Sequence, residues 1–293
     1  MIAHTEYMQR YTIQKFNKDY PDDTACLEWL YLFFYPDGIE CIKCGKITKH
    51  HRVKSRPSYS CDVCGHHVHP TAGTIFEKSV TPLKLWFYAV FLMSSTRAGI
   101  SAKQLERELG VTYKTAWRMF KQIRTMMAES DQLEGIVEID EAYVGGVQKG
   151  QIGGRKMGTN KTAVLGMVER KGRARAKIIP ETVSTPTIIP HIREHVHTGA
   201  IVMTDQFHPY NVLPQLGYEH HRIHHNIEYV RGLIHTNSVE GFWAIMKMGI
   251  RAVYRHVKPK YLQQYANEYA FRYSHRKDDR SMFLTLLSQV RKV

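Results

Sequence analysis

Apolar residues recur along this chain with two different periods, and the change from one to the other divides it. In TACLEWLYLFF (Thr24 to Phe34) and in TPLKLWFYAVFLMSS (Thr81 to Ser95) they fall three and four residues apart, the spacing of a helix with one buried side. Thr81 reads as an N-cap with Pro82 at the first helical position. Ala102 to Leu109 predicts a short helix that Gly110 breaks, and Thr112 caps another from about Tyr113 to Arg124, the proportions of a helix-turn-helix. On the second helix Ala116, Trp117 and Phe120 face inward, and Tyr113, Lys114, Arg118, Lys121 and Arg124 face outward. Ala128 to Gln132 is polar and without period, which marks a boundary. Beyond it the period shortens to two. Ile136 to Asp140 alternates and ends on its acid; Thr162 to Arg170 and Arg175 to Val183 read as antiparallel strands; Ala200 to Thr204 is an apolar strand running into Asp205. IIPHIREHV supplies a helix between the last two, and a further helix starting near Asn237 buries Phe242, Trp243 and Ile245. The pattern predicts an N-terminal segment over residues 1–72, a helical segment over 73–130 and an α/β domain over 131–293.

Composition narrows the partner. The chain has 293 residues, of which 43% are hydrophobic and 11% aromatic, which describes a folded protein. Its formal charge of +14 and pI near 9.5 suit a polyanion, because each Lys or Arg set on a phosphate releases a condensed counterion. No N-terminal stretch combines basic residues, an apolar core and a small-residue cleavage site, so secretion is not expected. The longest apolar run, Leu85 to Met93, is too short to span a bilayer, and no membrane partner is expected.

Five cysteines are present, and four of them form CIKCG (Cys41, Cys44) and CDVCG (Cys61, Cys64), with 16 residues between the pairs. Two thiolates two residues apart can face one tetrahedral Zn²⁺, and the glycine after each pair lets the backbone turn its amides toward the sulfurs. One such pair alone could be a redox dithiol; two matched pairs at this spacing read as a structural zinc ribbon. His50, His51, His66, His67 and His69 stand nearby as possible replacement ligands. Cys26 reads as an ordinary buried thiol.

The acids carry the chemistry. Asp140 and Asp205 each follow apolar strand residues, where a carboxylate is costly unless something positive neutralises it. In HTNSVEGFWAIMK, Glu240 and Lys247 lie a heptad apart and within about 20° of each other around the helix, with Asn237 about 60° away. Asn237 and Glu240 also have the spacing of a capping box, with Asn237 as N-cap. Taken together, CIKCG with CDVCG, AGTIF (Ala72 to Phe76), VEIDEAYVGG (Val137 to Gly146), TDQFHPY (Thr204 to Tyr210), HTNSVEGFWAIMK and EYAFRYSHR (Glu268 to Arg276) resemble the DDE insertion-sequence transposases that begin with a zinc ribbon, the ISXO-two-like group.

The resemblance implies a ribonuclease H-like catalytic domain behind the zinc ribbon and the helix-turn-helix. It implies a metal-binding triad of Asp140, Asp205 and Glu240, with Lys247 as the basic residue a heptad on. The third position is sometimes Asn in this group, which would be Asn237; a carboxylate is the stronger ligand for a hard cation, which favours Glu240 and leaves Asn237 auxiliary. Phosphodiester cleavage would use two Mg²⁺ (or Mn²⁺) ions about 3.5–4 Å apart, bridged by Asp140. The partners would be the inverted-repeat ends of an element and target DNA, held by a homodimer or higher assembly in the cytoplasm of a bacterium, at the nucleoid. Phosphate contacts are expected from Lys114, Arg118, Lys121 and Arg124, from Arg155 and Lys156 in a glycine-rich loop, and from Arg251 and Arg255. Glu138 reads as a solvated strand partner of Asp140, Glu141 as salt-bridged or exposed, and His208 and His235 as structural or water-steering. A DNA-binding regulator with an inactive nuclease-like domain, and a nuclease acting on RNA or on replication structures, are the alternatives.

Overall fold

The computed structural model describes residues 11–145, 161–180, 182–223 and 235–292. The chain forms two compact units, residues 1–123 with 279–293, and residues 124–278.

The first unit opens with α1 (Ile13–Asp19) and α2 (Asp23–Phe34). The Thr12 hydroxyl and the Asp22 carboxylate cap these helices by accepting amide bonds from Lys15 and Ala25. Short strands follow: β1 (Ile39–Glu40) pairs with β2 (Ile47–Thr48), and β3 (His50–Val53), β4 (Ser58–Cys61) and β5 (His67–Val68) make a three-stranded antiparallel sheet. After turns over 70–80 come α3 (Leu83–Ser95), α4 (Ala102–Leu109) and α5 (Tyr113–Met126). Ser101 caps α4, Gly110 ends it in the left-handed conformation at φ +62°, and the Thr112 hydroxyl accepts from the Thr115 amide at the start of α5. α3 begins at Leu83, one residue later than predicted, with no side-chain cap.

The second unit is built on one five-stranded sheet. β6 (Ile136–Val144), β7 (Thr162–Glu169) and β8 (Ala174–Ile179) form an antiparallel meander. Pro180 follows β8 and stops the strand short of the predicted Val183. After α6 (Thr185–His195), β9 (Ile201–Thr204) lies parallel to β6, and β10 (Glu219–Arg222) lies parallel to β9, giving the order β10-β9-β6-β7-β8. The remaining helices of this unit are α7 (Asn237–Gly249), which continues as a π-helical turn over Ile250–Tyr254, and α8 (Pro259–Ser274). Alternation along the strands sends Val137 and Ile139 into a core with Ile188, Ile192 and Tyr210. It sends Ala142 and Val144 into a second core with Phe242, Trp243 and Tyr269. The sheet is thus covered on both faces, by α6 on one and by α7 with α8 on the other.

α9 (Met282–Leu287) belongs to the first unit, where the Phe283 ring packs against Phe16, Tyr20 and Phe91. Among the described residues no helix is long and apolar enough to cross a membrane.

Candidate active site and cysteine metal centre

β6 does not end at Asp140 as the alternation suggested; it runs four residues further, to Val144. What ends there is its neighbour. The last registered pair of β6 with β9 is Ile139 with Thr204, so Asp140 and Asp205 stand next in line on adjacent parallel strands, whose spacing is about 4.8 Å. Asp205 turns its Oδ1 back to accept the Phe207 amide at 2.8 Å, which fixes the carboxylate just past the strand.

Asp140 is held from the helix side. Its Oδ2 accepts the Trp243 indole N–H at 3.0 Å. The indole can lie this close because the residue opposite Asp140 on β7 is Gly166, where an added Cβ would sit 2.5 Å from the indole Cζ2. Burial pushes the Asp140 carboxyl up to about 6; the Trp243 bond opposes that rise, and the charges of Asp205 and Glu240 add to it. Those two acids therefore act electrostatically on one carboxyl, and a divalent cation among them would relieve the repulsion. Glu240 is exposed on α7, with the Thr236 hydroxyl donating to its Oε1 at 3.4 Å.

The start of α7 departs from the expected capping box. Thr236 is the cap residue, without a side-chain cap bond, and Asn237 is the first helical residue, exposed and not the N-cap. The free amides of Ser238 and Val239 are taken instead by Glu138 of β6, at 2.6 and 3.1 Å. Glu138 is fully buried, not solvated, and also accepts from Arg170 Nε at 2.6 Å. Ile245 is 41% exposed; Met246 takes its place in the buried stripe with Val239, Phe242 and Trp243. On the opposite face of β6, Glu141 accepts the Tyr210 hydroxyl at 2.9 Å.

In the first unit the two C-x-x-C-G turns fold alike. Gly45 and Gly65 have φ of +65° and +67°, and their amides return to the carbonyls of Cys41 and Cys61. One sulfur each from Cys41, Cys44, Cys61 and Cys64 lies within 4.8 Å of the others, which fits a tetrahedral Zn²⁺. The Thr48 hydroxyl, 3.1 Å from the Cys61 sulfur, leads in drawing that thiol down to about 6, toward the thiolate a metal needs. Among the described residues no other His, Cys, Asp or Glu set closes this tightly, so neither the nearby histidines nor the acids around Asp140 form a group of that kind.

Residues 132–274 match the family model of the ISXO2-like transposase domain, and residues 21–67 match the transposase zinc-ribbon domain. The chain thus carries an ISXO2-like transposase domain behind a transposase zinc-ribbon domain. This transposase is 29% identical over 223 residues to an uncharacterized protein in transposable element ISH50 of Halobacterium salinarum, covering 70% of this chain and 75% of that one. It is 27% identical over 97 residues to an uncharacterized transposase-like protein of Haemophilus influenzae, covering 33% and 78%. Among solved structures it is similar to the Mos1 strand transfer complex, at 12% identity and TM-score 0.29 over 69% of this chain and 74% of that one. It is also similar to a pre-cleavage Mos1 transpososome, at 13% identity and TM-score 0.27 over 71% and 78%. Scores this low leave the likeness without weight.

The basic residues of the transposase fall into distinct settings. Lys114 and Arg118 are exposed on α5 and Lys121 is partly so. The Arg118 guanidinium is anchored, donating to Ser79 Oγ at 2.9 Å and lying over the Trp86 ring. Arg124, expected on the outer face, is fully buried: it donates to Glu268 through Nε at 2.7 Å and stacks over Tyr265. A guanidinium so engaged is not available to a phosphate, and Arg124 leaves the set of DNA contacts. Lys247, Arg251 and Arg255 are exposed along α7 and its π-helical extension. Arg155 and Lys156 lie outside the described residues. His208 is exposed, and the His235 Nδ1 lies 3.3 Å from Glu138. Sequence reasoning missed Glu138, Trp243 and Gly166 as parts of the site; the only local signal was that Glu138 shares a strand face with Asp140.

Proposed function

We propose that this transposase binds the terminal inverted repeats of an insertion sequence and catalyses metal-dependent cleavage and strand transfer of double-stranded DNA. The observation that carries the reading is the placement of Asp140 and Asp205 side by side, Asp140 on β6 and Asp205 just past the end of the parallel strand β9. A mixed five-stranded sheet covered on both faces, with one acid on its central strand and another just past the neighbouring strand, supports a ribonuclease H-like domain. The Gly110 turn between α4 and α5, with Lys114 and Lys121 on the second helix, supports a helix-turn-helix that meets the DNA backbone.

Asp140, Asp205 and Glu240 would hold the divalent ions, Mg²⁺ or Mn²⁺, and Asn237, exposed one turn before Glu240, is the auxiliary ligand. When bound, two such ions supply a nucleophilic water and charge stabilisation at the leaving oxygen. The chain's own residues do the rest. Trp243 holds Asp140 by its Oδ2 and so fixes the carboxylate for ligation. Lys247, exposed a heptad past Glu240, offsets charge on the scissile phosphate, and Arg251 and Arg255 carry the strand beyond it. After the first cut the freed 3′-hydroxyl is held at the same acids to attack target DNA, without a covalent protein intermediate. Pairing two element ends calls for a homodimer or higher assembly at the nucleoid. The test is cleavage and strand transfer of element-end DNA in Mg²⁺ by the wild type and by Asp205→Asn, which removes one charge with little change of shape. Loss of both steps with DNA binding retained is expected. Activity near the wild type in Asp205→Asn would remove Asp205 from the centre, and binding without cleavage by the wild type would leave a regulator.

A further inference from the structure

Glu138 takes no part in the proposed ligand set, yet it is more deeply buried than any of the three acids in it. A carboxylate without solvent is costly unless its oxygens are filled with donors. Those of Glu138 are. Oε2 accepts the amides of Ser238 and Val239 at 2.6 and 3.1 Å, and Oε1 accepts Arg170 Nε at 2.6 Å and Ser238 Oγ at 3.1 Å, with His235 Nδ1 at 3.3 Å. Arg170 also donates to the His235 carbonyl at 2.9 Å, securing the approach to the helix. Glu138 therefore does from a neighbouring strand what a cap side chain does from within the helix, and its charge faces the positive end of the α7 dipole.

We propose that Glu138 is a positioning residue that sets the separation of Asp140 from Glu240. Glu138 and Asp140 project from one face of β6, two residues and about 7 Å apart. Ser238, Val239 and Glu240 lie within the first turn of α7. Bonding Glu138 to the amides of that turn fixes where Glu240 stands over the strand, and the Trp243 bond to Asp140 fastens the helix a second time, about one turn on. The proposal rests on the reading of Asp140, Asp205 and Glu240 as the reaction centre, where a misplacement of about 1 Å costs about a hundredfold in rate.

The experiment uses the full chain carrying Glu138→Ala or Glu138→Gln, with Asp205→Asn and Trp243→Phe alongside. Trp243 is the one tryptophan between residues 124 and 278, so the emission lost in Trp243→Phe belongs to it. That component is expected to shift to the red in Glu138→Ala, without metal or DNA, as the indole leaves Asp140. Cleavage of element ends is expected to fall about a hundredfold in Glu138→Ala and about tenfold in Glu138→Gln, which keeps one acceptor oxygen and the shape. The Mg²⁺ concentration for half-maximal cleavage should rise severalfold in both, whereas a variant that is merely less stable would lose amplitude at an unchanged Mg²⁺ midpoint. Glu138→Gln carries the test if Glu138→Ala does not fold. Wild-type emission together with a wild-type Mg²⁺ midpoint in Glu138→Gln would overturn the proposal. If the wild type itself cuts nothing, the reaction centre is misread, and the emission shift still decides for or against Glu138.

Discussion

Replacing Gly166 by Ala tests how tightly α7 is seated on the sheet. The new Cβ would meet Trp243 Cζ2 at 2.5 Å and Cη2 at 2.8 Å. Carbon contacts settle at about 3.5–4.0 Å, so the indole must retreat by about 1 Å. Its Nε1 now stands 3.0 Å from Asp140 Oδ2, and a retreat of that size takes it past hydrogen-bonding range. Overpacking alone costs about 1–3 kcal/mol, and the lost bond to a carboxylate adds about 1.5–3 kcal/mol, so Gly166→Ala should destabilise residues 124–278 by about 2.5–6 kcal/mol. Phe at 243 lacks the outer ring that the new methyl would strike. In the Trp243→Phe background the same change should therefore cost less than about 1 kcal/mol, which is a strong coupling for a contacting pair. Urea unfolding followed by far-UV circular dichroism on the four proteins of this cycle gives the coupling directly. Equal costs in both backgrounds would refute the seating of the indole on Gly166, and with it the account of what holds Asp140.

Breaking the buried Arg124–Glu268 pair by Arg124→Met should cost about 3–5 kcal/mol, because Glu268 would stay buried with Arg272 as its remaining cation and the Tyr254 hydroxyl as a neutral donor, and denaturant midpoints check it. His275 is half-buried, which by itself lowers its pKa, but hydrogen bonds to Glu129 at 2.6 Å and Asp278 at 2.5 Å outweigh that and raise it above the usual histidine value. A raised histidine stabilises fully below its unfolded pKa and loses that contribution as pH climbs through the folded value, so the stability gap between wild type and His275→Asn should be widest near pH 6 and close at alkaline pH. Stripping zinc with a strong chelator, or Cys61→Ser, should unfold β1 to β5 and abolish specific DNA binding while leaving the sheet of residues 124–278 folded, as read by proteolysis.

Where information was local, the sequence could be read. Ser101, Gly110 and Thr112 mark the ends of α4 and the start of α5 because a cap acts within one turn. The cysteine spacing identifies the metal knuckles because each pair folds on its own glycine. Asp140 and Asp205 stand out because acids rarely follow runs of β-branched residues. Arg124 was misplaced although it falls four residues after Phe120 and hence on the buried side; its partner Glu268 lies 144 residues away, beyond the reach of any local pattern. Glu138 was misjudged for the same reason, since the amides that justify its burial belong to residues 100 positions later. Ile245 was assigned inward by hydrophobicity, but the helical angle gives that place to Met246.

The packing of α9 against Phe16 and Phe91 has a consequence for biosynthesis. Although the zinc-ribbon half is the first to leave the ribosome, it lacks one wall until translation has passed through the whole catalytic half. A nascent or truncated polypeptide that stops after α8 would thus expose a cluster of aromatic rings to chaperones and proteases.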